Sequence, residues 1–188
     1  MTSTLPHDGA PESKRLPASQ RYHASTIFFH WAIAGLVVLA YFAMDIRGPK
    51  GTVSRVIWSN THYWAGTLVL LLAVLQLLSK WRTRRPDALP TPPLQAALAV
   101  AVHLMLALFI IAQPLLGMLM VNLGGHPVIL AGPNFAFTLV GPDPHMRTVV
   151  HTVHITLAKI FYFVIGLHAL AALWHHFFKR DTTLRRML

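Results

Sequence analysis

Val153-His154-Ile155-Thr156-Leu157-Ala158-Lys159-Ile160-Phe161-Tyr162-Phe163-Val164-Ile165-Gly166-Leu167-His168 sets two histidines fourteen residues apart in one apolar run. On an α-helix that spacing is nearly four turns, so His154 and His168 project from one face about 21 Å apart. The run, continued at both ends, is long enough to cross a bilayer, and an ionisable side chain at such depth marks a functional site. Three further apolar stretches carry His30, His62 and His103. Met by these across a helical bundle, His154 and His168 would form two bis-histidine haem sites.

Composition fits a membrane setting. Apolar residues make up 54% of 188 and charged ones 12%, with a mean hydropathy of +0.51. A soluble domain carries about 25% charged residues. Cysteine is absent, which excludes disulfides, thiolate ligation, covalent haem attachment through Cys-x-x-Cys-His and cysteine-held iron–sulfur clusters. Any haem is then b-type, with histidine as its ligand. The net charge of +10 comes from basic residues at the ends of the apolar runs, where they anchor helices. No basic face interleaved with aromatics appears, so nucleic acid is not the partner.

Hydropathy predicts four spans at about 27–44, 62–79, 96–121 and 149–178, hence an all-α four-transmembrane-helix bundle in residues 22–188, preceded by a disordered tail over 1–21. Nothing in the tail has the order of a signal peptide. Lys14, Arg15 and Arg21, then Lys80, Arg82, Arg84 and Arg85, then Lys179, Arg180, Arg185 and Arg186 lie on one side. The other side holds Arg47, Lys50, Arg55 and Arg147. The positive-inside rule therefore puts both termini in the cytoplasm. Residues 84–93 read as a stiff proline-rich link.

Depth follows by counting from these anchors. His30 is nine residues beyond Arg21 and His168 eleven short of Lys179, so the two are level. His62 and His154 each come seven residues after an arginine, Arg55 and Arg147, and share a second depth near the opposite surface. Each pair meets the requirement for axial imidazoles at one level, giving two b haems. On depth alone His103 could replace His30 or His168. Because His30 and His62 are each the sole histidine in their spans, His103 is assigned to support a propionate or a quinone. The stripe His154, Phe161, His168 continues to His175, which with His176 and Lys179 would stand at the cytoplasmic mouth and could hold a propionate or a quinone carbonyl. Gly35, Gly66 and Gly166 flank the histidines and could leave flat room for a porphyrin. Pro114 should kink span three.

These residues resemble the bacterial cytochrome b561 family. The likeness lies in Phe29-His30-Trp31, Tyr41-Phe42-Ala43-Met44-Asp45-Ile46-Arg47-Gly48, His62 with Gly66, His103, and Gln113-Pro114-Leu115-Leu116-Gly117. It is most specific at His154 through His168-Ala169, His175-His176-Phe177 and Asp181-Thr182-Thr183-Leu184-Arg185-Arg186-Met187. The resemblance is greatest to the branch acting as superoxide oxidase. It implies a multi-pass protein of the bacterial inner membrane, with His30, His62, His154 and His168 as axial ligands, that passes electrons from periplasmic superoxide to ubiquinone. Arg47, Lys50, Arg55 and Arg147, set against Asp45 and Asp143, would make a positive rim to steer the anion. Two alternatives stay open: a cytochrome subunit fed by a partner dehydrogenase or hydrogenase, and a histidine-lined proton or metal transporter. The spans hold no acidic residue, which weighs against the transporter.

Overall fold

The computed structural model describes residues 21–83, 86–87, 90–129 and 136–188, so residues 1–20 of the expected 1–21 tail and part of the proline-rich link lie outside the described residues. Four helices follow in order: α1 (Ala24–Ile46), α2 (Val53–Arg82), α3 (Pro93–Leu123) and α4 (Pro144–Trp174). Each is long and apolar enough to cross a bilayer.

Each helix start has a local cause. The His23 ring accepts from Ser25 N, Thr52 Oγ1 accepts from Arg55 N, and Asp143 Oδ1 accepts from Met146 N, satisfying otherwise orphaned donors. Pro93 and Pro144 occupy the first helical turn, where no N–H is needed. The Thr52 cap starts α2 at Val53, well before the apolar run that predicted a span from 62. The added turns, Val53 to Thr61, are too polar for a hydropathy criterion, yet they put His62 well inside the helix. α3 runs unbroken through Pro114.

α1 packs chiefly on α2 and α3 on α4, with α2 joining the two layers. The α1/α2 seam rests on small or branched residues, with Ala43, Ala65, Ile33, Val69 and Ala73 buried and Ile110 and Ile111 of α3 against the last three. Lipid is as apolar as leucine, so this close fit, rather than expulsion of water, holds the helices together. Little else is fully buried: 6% of the residues in the most apolar window of α3 are buried by protein, and Phe163, Leu108 and Leu170 are exposed. A surface this apolar suits hydrocarbon.

The connections α1–α2 and α3–α4 make one end of the bundle, here the loop end. Gly48 and Gly51, at φ +73° and +88°, let the first of these turn within a few residues. The second carries a short antiparallel hairpin, β1 (Val128–Ile129) on β2 (Ala136–Phe137), which hydropathy did not signal. Fully buried Asn122 holds it, donating to His126 O and accepting from Leu139 N, while Tyr63 OH accepts from Ile129 N. At the opposite, terminus end, α4 runs into a π-turn at His175–Lys179 and Arg180 adopts the left-handed conformation. The chain then folds back to α1, where Tyr22 N donates to Arg186 O, Trp31 Nε1 to Met187 O and Arg21 to Leu188 O.

Candidate haem sites

α4 faces α1 and α2 through side chains rather than close backbone packing. Two histidine pairs span that interval. His62 of α2 and His154 of α4 have ring centres 6.2 Å apart, and His30 of α1 and His168 of α4 have theirs 6.3 Å apart. An iron bonded to two imidazole nitrogens at about 2.0 Å each, with about 1.1 Å from nitrogen to ring centre, requires about 6.2 Å. Each pair therefore has the ring spacing that a hexacoordinate iron needs. His103 approaches His168 at 5.2 Å, too close to share an interposed atom, and its Nδ1 is directed to Ala99 O of its own helix at 2.6 Å. Among the described residues no three His, Asp or Glu converge as a site for a bare metal ion.

The chemistry of the donors at the loop-end pair agrees with ligation. His62 Nδ1 lies 2.8 Å from Ala40 O. A carbonyl can only accept, so the proton sits on Nδ1 and Nε2 keeps its lone pair, the tautomer that a metal requires. Opposite it, Gln113 Nε2 donates to His154 O at 3.1 Å, while His154 Nδ1 and Gln113 Oε1 are buried without partners. A Cβ built on Gly117 would reach His154 Cε1 at 3.7 Å, so α3 approaches this imidazole closely. Half-buried Gly66, one turn from His62, would set a Cβ where nothing lies within 4 Å, and the same holds at Gly35 and Gly166. Gly66 is half-buried beside the His62 turn, whereas Gly35 and Gly166 are exposed on the outside of their helices, so the structure places neither of those two beside a histidine pair as the sequence had suggested.

Between the pairs, Phe161 stacks on Phe109 of α3 with ring centres 3.9 Å apart and planes 2° from parallel, both rings buried. Tyr41 OH donates to Ala158 O at 2.7 Å, tying α1 to α4 midway.

At the terminus end His175 is the centre of a polar network. Its Nδ1 pairs with Asp181 Oδ2, Gln95 Nε2 lies 2.9 Å from its Nε2, and Lys179 Nζ donates to Gln95 Oε1 at 2.8 Å. These groups line a cavity with Pro90, Pro92 and Thr183. Burial works against the charge of Asp181, but hydrogen bonds from Thr183 and His175, with the attraction of His175, outweigh it and hold the carboxyl below its ordinary range. Sequence reasoning placed His175 at this mouth and missed both Asp181 and Gln95. Asp181 was visible only as part of a motif, and Gln95 sits on another helix. The expected companion His176 stays outside the network, its Nδ1 buried without a partner.

Of the expected basic rim, Lys50 and Arg147 are exposed, Arg55 donates to Gly48 O at 3.0 Å and Arg47 is half-buried beside Met44. Asp143, the carboxylate expected to offset them, is engaged as the cap of α4.

Comparison with known proteins agrees with this architecture. The family model for prokaryotic cytochrome b561 matches residues 21–188. The chain is 36% identical over 171 residues to cytochrome b561 homolog 1 of Escherichia coli K12, an alignment covering 89% of this chain and 97% of the relative. It is 31% identical over 175 residues to the probable superoxide oxidase CybB of Yersinia pestis, covering 90% and 96%. To cytochrome b561 homolog 2 of Escherichia coli K12 it is 27% identical over 176 residues, covering 90% and 92%. With four apolar spans around paired histidines and a match over nearly all of its described length, the chain belongs to the prokaryotic cytochrome b561 family, multi-pass membrane electron-transfer proteins that bind b-type haem.

Proposed function

We propose that this protein is a superoxide:ubiquinone oxidoreductase of the bacterial inner membrane, holding one b haem between His62 and His154 and a second between His30 and His168. The observation that carries it is the repeated ring spacing of 6.2 and 6.3 Å at two levels of α4. Bound at both levels, haem supplies a chain of one-electron carriers across the bilayer. The residues hold, orient and charge the two ends of that chain.

At the loop end, taken as periplasmic, Arg47, Lys50, Arg55 and Arg147 outnumber Asp45, with Asp143 held by its helix. A net positive rim attracts a small anion and raises its rate of encounter. At the terminus end, taken as cytoplasmic, the cavity beside His175 offers a hydrogen bond to a quinone carbonyl and a route for protons through Asp181 and His175. The balance is two superoxide anions, one ubiquinone and two protons giving two dioxygen and one ubiquinol. Two electrons cross singly, and both protons enter from the terminus end. The likeness to a probable superoxide oxidase supports this donor. A protein donor, a dehydrogenase or hydrogenase module, is the competing assignment.

Stopped-flow mixing of the purified protein with superoxide and ubiquinone decides between them. Haem reduction is expected near the diffusional range and slower with rising salt, since the screening length is already about 10 Å at 0.1 M. Charge reversal at Lys50 or Arg147 should slow reduction without altering the haem spectrum. A rate no greater than spontaneous dismutation would leave the di-haem cytochrome intact and remove superoxide as its donor.

A further inference from the structure

The motif Asp181 to Met187 is only partly used by the quinone mouth. Its remaining feature is Arg186, 8% exposed, with Nε buried and no hydrogen-bond partner. Among the described residues Arg186 forms no ion pair. A guanidinium cannot shed its proton, and burying its charge without a counter-anion is costly. In a bundle where Thr26 and Asn122 are the only other buried polar residues among those described, a buried arginine calls for an anion at that place.

The surroundings say which one. Arg186 is fixed by its own backbone: its N–H donates to Thr182 O, and its carbonyl accepts from Tyr22 N at the foot of α1. The next carbonyl, Met187 O, accepts from Trp31 Nε1 at 2.7 Å, and the Trp31 ring lies 5.3 Å from that of His30. The strap therefore returns from α4 to the level of the terminus-end pair. Buried Thr26 and His30 lie at i and i+4 on one face of α1, and Tyr22 sits just before that helix begins. The strap that carries Arg186 thus reaches this face of α1, and the planar fork of donors of a guanidinium matches a carboxylate.

We propose that Arg186 is the anchor of a haem propionate, the carboxylate of the haem seated between His30 and His168. This rests on the assignment of that pair as a haem site. The strap then closes beneath the bound group and makes retention of that haem depend on a segment at the far end of the sequence. Removing the cation leaves the propionate charge uncompensated, which favours the oxidised form and lowers the potential of that haem alone.

The test uses the purified holoprotein, with haem stoichiometry, redox titration and redox-difference infrared spectra recorded with haem carrying 13C at its propionates. Arg186→Gln is expected to lower the midpoint of the terminus-end haem, shift the labelled carboxylate band and loosen that haem, with the loop-end haem unchanged. Arg186→Lys should keep part of the potential and still move the band, because a point charge replaces a fork. If Arg186→Gln does not accumulate, the band of Arg186→Lys decides, and an unmoved band overturns the proposal. An unchanged midpoint and band in Arg186→Gln, even with lowered thermal stability, overturns it too. So does a wild-type midpoint that follows phosphate concentration at constant ionic strength, which would identify a free anion. Retention of both haems by His30→Leu and His168→Leu would instead overturn the haem assignment itself.

Discussion

The two histidine pairs have nearly the same ring spacing and different surroundings. At the loop end His62 is locked by Ala40 O, the His154 backbone is gripped by Gln113, and a hairpin pinned by Asn122 and Tyr63 lies over the end of the bundle. At the terminus end neither the His30 nor the His168 ring makes a side-chain hydrogen bond among the described residues, a third histidine stands 5.2 Å from His168, and the nearby groups are titratable. Orientation is built into the first site by short-range backbone contacts. At the second it depends on a third helix and a returning strap. The first arrangement suits plain electron entry from a small donor, and the second suits a reaction that also takes up protons.

The harshest way to break this comparison is to remove ligands. His62→Leu or His154→Leu should abolish one haem per chain and leave the other at least partly bound, with His30→Leu and His168→Leu affecting the opposite haem. A pyridine haemochrome assay against protein concentration reads the loss, and a wild type with one haem per chain would end the two-site description.

The bracing at the loop end predicts the next largest effect. Asn122→Ala removes the hydrogen bonds to His126 O and from Leu139 N, at about 0.5–1.5 kcal/mol each because both of those residues are exposed to solvent. It should lower the thermal midpoint in detergent while leaving the terminus-end haem potential unchanged. Equal shifts at both haems would show that the hairpin does not act locally.

His103 sharpens the contrast. His103→Ala should retain both haems and move the midpoint only of the terminus-end one, because the ring stands beside His168 without the spacing of an axial partner. Loss of a whole haem would make His103, and not His30, the ligand.

The smallest effect concerns Asp181. Its folded-state carboxyl lies below its unfolded value, so its contribution to the strap is complete above the ordinary carboxylate range, about 3.9, and is lost as pH falls through the depressed value. Amide exchange over 181–188, corrected for intrinsic rates, should show constant protection from neutral pH to about 5 and lose it below the ordinary range. Asp181→Asn should show the lower, acid-state protection at every pH. The group is only partly shielded from solvent, so a change of a few-fold is expected.

Much of this could be read along the chain. Helix rise is constant and basic residues mark membrane surfaces, so counting from Arg21, Arg55, Arg147 and Lys179 placed four histidines at two levels. Apolar periodicity found the four helices but not their ends, because Thr52 and Asp143 start helices in polar sequence. Level is a coordinate along one axis. Rotation about that axis, which decides whether His30 or His103 faces His168 at the spacing of two axial ligands, depends on how α1, α3 and α4 pack. So does the gathering of Gln95, His175 and Asp181: one comes from a different helix, and another needs a π-turn and a left-handed Arg180 to fold back. The burial of Arg186 likewise depends on contacts between the two ends of the described chain, more than 160 residues apart. Local sequence determined what each helix carries and at what depth, since both follow from residue type and rise. Which side chains share a site was decided only by packing, because contacts between distant segments are settled by the bundle as a whole.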